Sequence, residues 1–409
     1  MQRKLLLALF FLCGISFLIH EVCWVRQATL TFGVSIYAYS AVLTAYMGGM
    51  AVGGYLIGKR ADRAEHPLHL FAWLQVGLAG LGILTPFVLN GLTTLYAAVA
   101  RSLTPGLTVL MVLRLGMSLL ALTPPAICIG ATLPVMSRVY VRRSGQVGHD
   151  VGRLYAVNTL GSVLGCALAA TVFIRLLGLR GAVCLAALIN LLVAGAAWWL
   201  TRGGAETARP QPSLARTKRS KTPPQTPAAL CFVLWAYTLS GFASLGYEVV
   251  WARVISLHTV GAVYSFSIML TVFLSGLFVG GLVGTWWVRR RRASVIHFGG
   301  LELGIGLLAV LALFAFAQLP SFRLENFFSE YSVAAEITFE GLLSFATLFP
   351  VTVLIGAVFP VASSLYTDER AEQVGLKVAR VTALNTAGSV LGSLLTGFVI
   401  VPTLGLQNS

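Results

Sequence analysis

Long apolar runs, separated by short polar or basic stretches, make up most of the chain. They repeatedly exceed the roughly 18 residues that a helix needs to cross a bilayer. Six spans are predicted before residue 201, at 5–31, 36–58, 69–98, 108–139, 152–177 and 180–200. Five more are predicted after residue 227, at 228–257, 262–288, 296–318, 339–365 and 377–401. The pattern therefore predicts an all-α, polytopic membrane bundle of about eleven transmembrane helices.

The sequence contains an internal repeat, because sliding it against itself by about 227 residues aligns nearly the whole chain. PPAICIGATLPVMSRVY at 124–140 aligns with PVTVLIGAVFPVASSLY at 350–366. Equivalent single residues are Glu21 and Glu248, Trp24 and Trp251, Arg26 and Arg253, Gly49 and Gly276, Gly53 and Gly280, Asn158 and Asn385. An even number of helices in each repeat gives both the same orientation in the membrane. We therefore expect two parallel tandem repeats.

The repeats define the expected domain organisation. Residues 1–200 form the first transmembrane repeat and 228–409 the second, joined by a basic stretch at 201–227 whose composition is typical of a flexible linker. The second repeat has no counterpart of the span at 180–200. Its last helix is therefore predicted to be absent, and the chain is interpreted as part of a longer protein or as a truncated form.

The distribution of charge predicts the topology. Basic clusters occupy alternate loops, at 3–4, 59–63, 138–143, 202–221, 289–292 and 370–380. Lys and Arg are enriched in cytoplasmic loops, so the N-terminus is predicted to be cytoplasmic and the acidic loop at 325–340 to face outward. A multi-pass protein of the bacterial inner membrane is expected.

Composition supports the membrane assignment and excludes other classes. Of 409 residues, 57% are hydrophobic and 11% charged, and the mean hydropathy is +0.84. The net charge of +15 lies in short loop clusters that act as topology signals, so nucleic acid is excluded as a partner and membrane lipids are expected. Histidines and cysteines show no metal-ligand or catalytic spacing. No metal ion, cofactor or catalytic residue is predicted.

Ionisable groups within the apolar runs are the candidate functional residues, because each costs about 2.5–3.5 kcal/mol at the centre of a membrane helix. Carboxylates and aromatic rings together suit an alkyl ammonium ligand. The candidate substrate-binding residues are Glu21, Trp24, Tyr247, Glu248, Trp251 and Glu302. The alternative is that each glutamate is bound to a neighbouring helix and only fixes the packing. Glu302 is either a second carboxylate on a cation path or a partner for the basic cluster at 289–292.

Other polar and small residues are expected to serve packing. Small residues at four-residue spacing allow close helix approach, which assigns Gly49, Gly53, Gly276 and Gly280 to helix contacts. Asn158 and Asn385 are expected to form amide hydrogen bonds between helices. Arg114, buried in apolar sequence, is expected to pair with a carboxylate.

The motifs GFASLGYEVVWARV at 241–254, IGA…P in 124–140 and 350–366, and R…NT.GSVLG at 380–392 carry a family resemblance. Together they resemble the membrane region of bacterial spermidine synthase-like transmembrane proteins, also described as major-facilitator/spermidine-synthase fusions. The resemblance implies a major-facilitator-like bundle next to a cytosolic aminopropyltransferase domain. No Gly-rich strand-to-helix turn for such a domain occurs in this chain, which leaves enzymatic activity undecided.

Three functions remain open. The chain is the membrane domain of a spermidine synthase-like protein that binds or passes a polyamine or related cationic small molecule. Alternatively, it is a non-catalytic scaffold for other membrane-complex subunits or a cytosolic synthase domain. The third alternative is a stand-alone secondary transporter in which Glu21, Glu248 or Glu302 carries protons or substrate.

Overall fold

The structure, a computed structural model, describes residues 2–33, 35–61, 64–103, 106–140, 147–202, 227–258, 262–291, 293–317, 333–366 and 374–405. These ranges are almost wholly helical and contain no strand. The first-half helices are α1 Gln2–Phe32, α2 Ile36–Ala61, α3 Pro67–Leu103, α4 Leu107–Tyr140, α5 Val147–Leu168 and α6 Ile174–Arg202. The second-half helices are α7 Pro227–His258, α8 Ala262–Arg290, α9 Val295–Ala317, α10 Val333–Tyr366, α11 Val374–Leu395 and the short α12 Val401–Leu404.

The predicted all-helical membrane bundle is confirmed. Nine stretches of the described chain have the length and hydropathy of a membrane span. One of them, Asp150–Arg202, holds two helical segments that meet at Gly178, whose φ of 69° breaks the helix. The described residues also contain the apolar helix α7, so that α1 to α11 make eleven long helices in this part of the chain. The predicted linker lies almost entirely outside the described residues, as does the first half of the loop predicted at 325–340. The second half of that loop belongs to helix α10.

Each half is built from the same helix pairs. Helix α1 packs on α5 and α2 on α4, while α7 packs on α11 and α8 on α10. Asn158 Nδ2 donates to the Phe10 carbonyl at 3.0 Å, and the equivalent Asn385 donates to the Tyr237 carbonyl at 3.0 Å. The repeat seen in the sequence is therefore a structural repeat as well.

Both halves also share a backbone irregularity. Helix α5 continues into a π-helical turn at Ala169–Phe173, and α11 continues into one at Thr396–Ile400. These turns lie at equivalent positions of the repeat. A π-turn accommodates one extra residue within a helix and is often found near functional sites.

The two halves meet mainly along two helix contacts, α2 with α11 and α5 with α8. At the first contact the Thr44 and Ser393 hydroxyls lie 3.0 Å apart. At the second, Cys166 Sγ lies 3.4 Å from the Ser267 carbonyl oxygen. We call these two contacts together the seam.

The seam is closed at one end of the molecule and open at the other. Tyr55 lies three helical turns beyond Thr44, on the same face of α2, yet 68% of it is exposed. Leu282 has the same relation to Thr271 on α8 and is 49% exposed. Leu43 and its equivalent Leu270 are buried. The seam-bearing faces of α2 and α8 are therefore uncovered toward the end that carries Arg60 and Arg290, and we call this uncovered part of the seam the cleft.

Arg114 has a different partner from the carboxylate that the sequence analysis expected. Its Nε donates to the Tyr96 hydroxyl at 3.1 Å, and its guanidinium lies 5.7 Å from the centre of the Tyr96 ring. A phenol therefore takes the place of the expected carboxylate, because both a hydroxyl oxygen and a ring face can stabilise a guanidinium.

Candidate functional site

Glu21 on α1 and Glu248 on α7 lie near each other at the closed end of the cleft. Their side chains are buried, with 4% and 3% of each residue exposed. The two carboxyl groups are close enough to interact electrostatically. One residue from each half therefore contributes to a single acidic site, which we call the glutamate pair.

The neighbouring helices surround the glutamate pair with neutral polar groups. The Tyr46 hydroxyl, from α2, donates a hydrogen bond to Glu21 and also lies within electrostatic reach of Glu248. Cys166, from α5, lies within reach of both glutamates and is hydrogen-bonded to Thr271 and Ser267 of α8. Helices α2 and α5 thus bring polar groups to the pair, and α8 contacts it through Cys166.

The tryptophans support the site from within each half. Trp24 stacks on His20 at 5.4 Å and meets the edge of Tyr46 at 6.2 Å. The equivalent Trp251 stacks on Tyr247 at 5.3 Å and meets Phe273 at 6.5 Å. Both tryptophans are nearly fully buried. They hold α1 against α2 and α7 against α8, and the glutamates lie one turn earlier on the same helices.

An aromatic pair joins the two halves next to the site. Tyr39 and its equivalent Phe266 stack across the seam with ring centres 5.7 Å apart. Arg26 and Arg253 lie within electrostatic reach of Tyr39. Because Tyr39 precedes Tyr46 by about two helical turns, this layer lies between the glutamate pair and the loops that join α1 to α2 and α7 to α8.

Glu302 is not brought into the glutamate pair. It lies on α9, accepts a hydrogen bond from Ser240 of α7, and is within electrostatic reach of Tyr237 and Tyr247. Its Oε1 atom is buried without a hydrogen-bond partner among the described residues. Its described partners thus belong to α7 rather than to the basic cluster at 289–292.

The glycines of the sequence analysis lie where helices approach most closely. A Cβ on Gly53 would overlap the Ile127 carbonyl oxygen, and one on Gly280 would overlap the Val353 carbonyl oxygen. A Cβ on Gly49 would lie 2.6 Å from Ala126 Cβ, and one on Gly276 would overlap Thr352 Oγ1. These four glycines pack α2 on α4 and α8 on α10.

Sequence reasoning missed Tyr46, Cys166, Thr271 and the Tyr39–Phe266 pair. All are neutral residues within apolar helices. A neutral residue lacks the large free-energy cost of placing a charge in the membrane, so the sequence does not distinguish it from its neighbours. The repeat offered one usable signal, since Thr44 and Thr271 occupy equivalent positions on α2 and α8. Within the described part of the chain, no group of His, Cys, Asp and Glu is suited to hold a metal ion.

Comparisons with known proteins support the fold. A crystal structure of a bacterial homolog of the human lysosomal transporter Spinster, inward-facing and unoccupied, matches with a TM-score of 0.56 and 16% identity, covering 99% of this chain and 85% of that chain. A structure of an auto-inhibited POT family peptide transporter matches with a TM-score of 0.49 and 14% identity, covering 98% and 90%. The first confirms the major-facilitator-like fold.

No protein-family profile matches the chain, and no curated protein matches it. The resemblance to spermidine synthase-like fusion proteins therefore has no support beyond the sequence motifs themselves. What the comparisons support is a membrane bundle with a fold similar to that of one solved transporter structure.

Proposed function

We propose that this protein is a secondary transporter that exchanges a cationic small molecule, with the glutamate pair as its binding site. One observation carries this proposal: equivalent glutamates from the two halves are both buried and lie within electrostatic reach of each other. Two carboxylates in apolar surroundings are costly, and a bound cation or bound protons would relieve that cost. Intramembrane glutamates commonly form such ion and proton sites.

The arrangement of the halves supports transport. A binding site between two parallel repeats suits alternating access, in which the halves rock about a fixed site. The cleft reaches toward the glutamate pair from the end that carries Arg60 and Arg290, and the Tyr39–Phe266 layer blocks the other end. The short polar contacts of the seam would have to part for the site to open in the other direction.

The proposed substrate is an organic amine. Ammonium groups can pair with both carboxyls, and Tyr46 adds a hydroxyl that can share in that pairing. A polyamine is the narrower form of this proposal, because its two or more ammonium groups match two carboxylates. We place the protein in the bacterial inner membrane with its N-terminus in the cytoplasm, following the positive-inside rule.

Tracer exchange in vesicles tests this proposal. The purified protein is reconstituted with unlabelled putrescine, spermidine or ethylamine inside, and the same labelled amine is added outside. We expect exchange above that of protein-free vesicles, and we expect Glu21→Gln and Glu248→Gln to abolish it. Glu65→Gln removes an exposed carboxylate outside the predicted spans and should exchange as the wild type does.

Two results would contradict the proposal. Exchange that is unchanged in both glutamine variants would remove the glutamate pair from the mechanism. Wild-type protein that neither exchanges any of the amines nor binds them in calorimetry at millimolar concentration would exclude amine transport and favour the scaffold function.

A further inference from the structure

Two arginines at the end of helix α8 are stacked on two tryptophans. The guanidinium carbon of Arg290 lies 4.8 Å from the centre of the Trp286 ring, and that of Arg291 lies 5.3 Å from the centre of the Trp287 ring. A guanidinium over an aromatic face makes a cation–π contact, and tryptophan gives the strongest contact of this kind. Each arginine side chain therefore has a defined position.

The same four side chains line a pocket of about 170 Å³, which we call the Trp–Arg pocket. Both arginines are exposed and Trp286 is 53% exposed, so the pocket opens at the surface of the molecule. Sites that enclose a whole small molecule usually measure roughly 300–1,000 Å³. The Trp–Arg pocket is smaller and suits one compact group.

Contacts with helix α9 fix the position of Trp287. The His297 ring meets the Trp287 ring edge-on at 5.8 Å, and His297 Nδ1 lies 2.8 Å from the Ser294 hydroxyl oxygen. The Arg291 backbone amide donates to the Trp287 carbonyl at 2.8 Å, which keeps Arg291 next to the end of α8. The Trp–Arg pocket is therefore supported by two helices and by the turn between them.

The charge of the Trp–Arg pocket calls for an anion. In the part of the chain that the structure describes, neither Arg290 nor Arg291 forms a salt bridge with a carboxylate. Two like charges at one pocket repel each other, and an anion bound between them would offset that repulsion. A guanidinium presents its N–H groups as a fork that matches the oxygens of a phosphate. The pocket therefore suits a phosphate group.

The position of the Trp–Arg pocket along α8 indicates the source of that phosphate. Phe266–Val288 has the length and hydropathy of a membrane span, so the tryptophans lie at the end of the span and the arginines follow it directly. Tryptophan is enriched at the level of the lipid headgroups, and basic residues just beyond a span attract anionic lipids. A lipid phosphate would lie at the level of the pocket.

The repeat shows that the pocket is more than a basic loop. The residues of the first half that correspond to Trp286 and Trp287 are Lys59 and Arg60, so the end of α2 is basic but has no ring at these positions. Basic residues alone are enough to set the topology, which leaves the two tryptophans unexplained by topology. A counterpart of α6 would not pack there, because α6 packs on α3 and α1, whereas α8 corresponds to α2.

We propose that the Trp–Arg pocket binds the phosphate of an anionic phospholipid headgroup. Both guanidiniums donate to the phosphate oxygens, and the indole rings hold the guanidiniums in place. A headgroup that carries an ammonium beside its phosphate would bring a cation toward two arginines, so it should bind more weakly. The inference depends neither on the glutamate pair nor on transport.

Native mass spectrometry of the delipidated protein in a non-ionic detergent tests the inference. The protein is titrated with phosphatidylglycerol and, separately, with phosphatidylethanolamine, and the Kd of the first bound lipid is measured. We expect phosphatidylglycerol to bind about fivefold more tightly, the size of one charge interaction near a membrane surface. In a third titration inorganic phosphate competes with phosphatidylglycerol, and we expect millimolar phosphate to leave lipid binding unchanged.

Two double variants distinguish a formed pocket from diffuse positive charge. Arg290→Lys with Arg291→Lys keeps both charges but removes the forks, and Trp286→Leu with Trp287→Leu keeps the arginines but removes the rings. We expect each double variant to bind phosphatidylglycerol about fivefold more weakly. Arg60→Gln removes a charge from the equivalent end of α2 and should bind phosphatidylglycerol as the wild type does.

Three results would overturn the inference. Equal binding of the two lipids to the wild type would show that the headgroup charge is not recognised. Wild-type affinity in both double variants, or an equal loss in Arg60→Gln, would reduce the arginines to a diffuse basic surface. Displacement of the lipid by inorganic phosphate would assign the pocket to a free phosphate and not to a lipid.

Discussion

At the scale of single residues, the structure separates glycines that the packing requires from glycines that it does not. Gly53 and Gly48 lie on the same helix, α2. A Cβ at Gly53 would overlap the Ile127 carbonyl oxygen of α4, whereas nothing lies within 4 Å of a Cβ at Gly48. The two glycines differ because only one face of α2 approaches α4. They therefore provide a matched pair of positions for substitution.

Gly53→Ala should destabilise the protein by about 1–3 kcal/mol, the usual cost of adding a methyl group to a closely packed contact. Gly48→Ala should be neutral or slightly stabilising, because alanine is favoured over glycine in helices. Thermal unfolding in detergent, followed by the fluorescence of a thiol-reactive dye, measures both. Equal unfolding temperatures for the two variants would show that α2 and α4 are less closely packed than described.

The equivalent asparagines give a second prediction at this scale. Asn158→Leu and Asn385→Leu each remove one hydrogen bond to a backbone carbonyl, and we expect each to cost about 0.6 kcal/mol, and at most about 2 kcal/mol. The two losses should be similar, because both hydrogen bonds are 3.0 Å long and each joins a half-buried amide to a backbone carbonyl. A loss at only one site, in the same unfolding assay, would mean that the repeats differ in local stability.

The sequence marked the charged members of the site but not the neutral ones. Glu21 and Glu248 were predictable because an ionisable group in an apolar run is costly and therefore conspicuous. That they lie together, and that Glu302 lies apart, depends on which helix faces meet between the halves. Tyr46 and Cys166 were not predictable, since nothing in their own helices indicates that they face a carboxyl group on another helix.

At the scale of helices, hydropathy predicted nearly all of the long apolar helices, because length and apolar content alone define a membrane span. It did not predict the π-turns or the uncovered end of the seam. Those features depend on contacts between distant helices, which no local pattern records. Gly178 was nevertheless visible in the sequence as a glycine between two apolar runs.

The seam provides a prediction for a pair of helices. Cys166 on α5 is hydrogen-bonded to Thr271 on α8, so Thr271→Cys should form a disulfide with Cys166 on mild oxidation. We expect the bond to hold the seam closed and to stop amine exchange until a reductant is added. An engineered protease site in the linker makes the bond visible, because the cleaved halves would stay joined on a non-reducing gel.

The control is Thr271→Cys in a Cys166→Ser background, which should separate into halves and exchange amines with or without oxidant. Oxidised Thr271→Cys that exchanges normally, although its halves are joined, would show that the seam at α5 and α8 does not part during transport.

At the scale of the whole molecule, the cleft predicts where water reaches. Tyr55→Cys and Leu282→Cys should react with a membrane-impermeant maleimide, because both positions lie on the cleft faces of α2 and α8 and are exposed. Leu43→Cys, on the closed part of α2, should not react. Mass spectrometry of vesicles of known orientation gives both the reactivity and the side from which the cleft opens.

Reaction of all three positions at the same rate would contradict a cleft that is closed at one end. Reaction of the first two only from the outside would reverse the topology predicted from the basic loops, while leaving the fold unchanged.

The two equivalent π-turns indicate how the repeat arose. Each follows the helix that lines the seam, α5 in one half and α11 in the other, at equivalent positions. A π-turn arises when one residue is inserted into a helix, and two separate insertions at the same place are less economical than one. The simplest history is that a single repeat already carried the insertion when its gene was doubled. The irregularity is then older than the two-half protein, which inherited it twice.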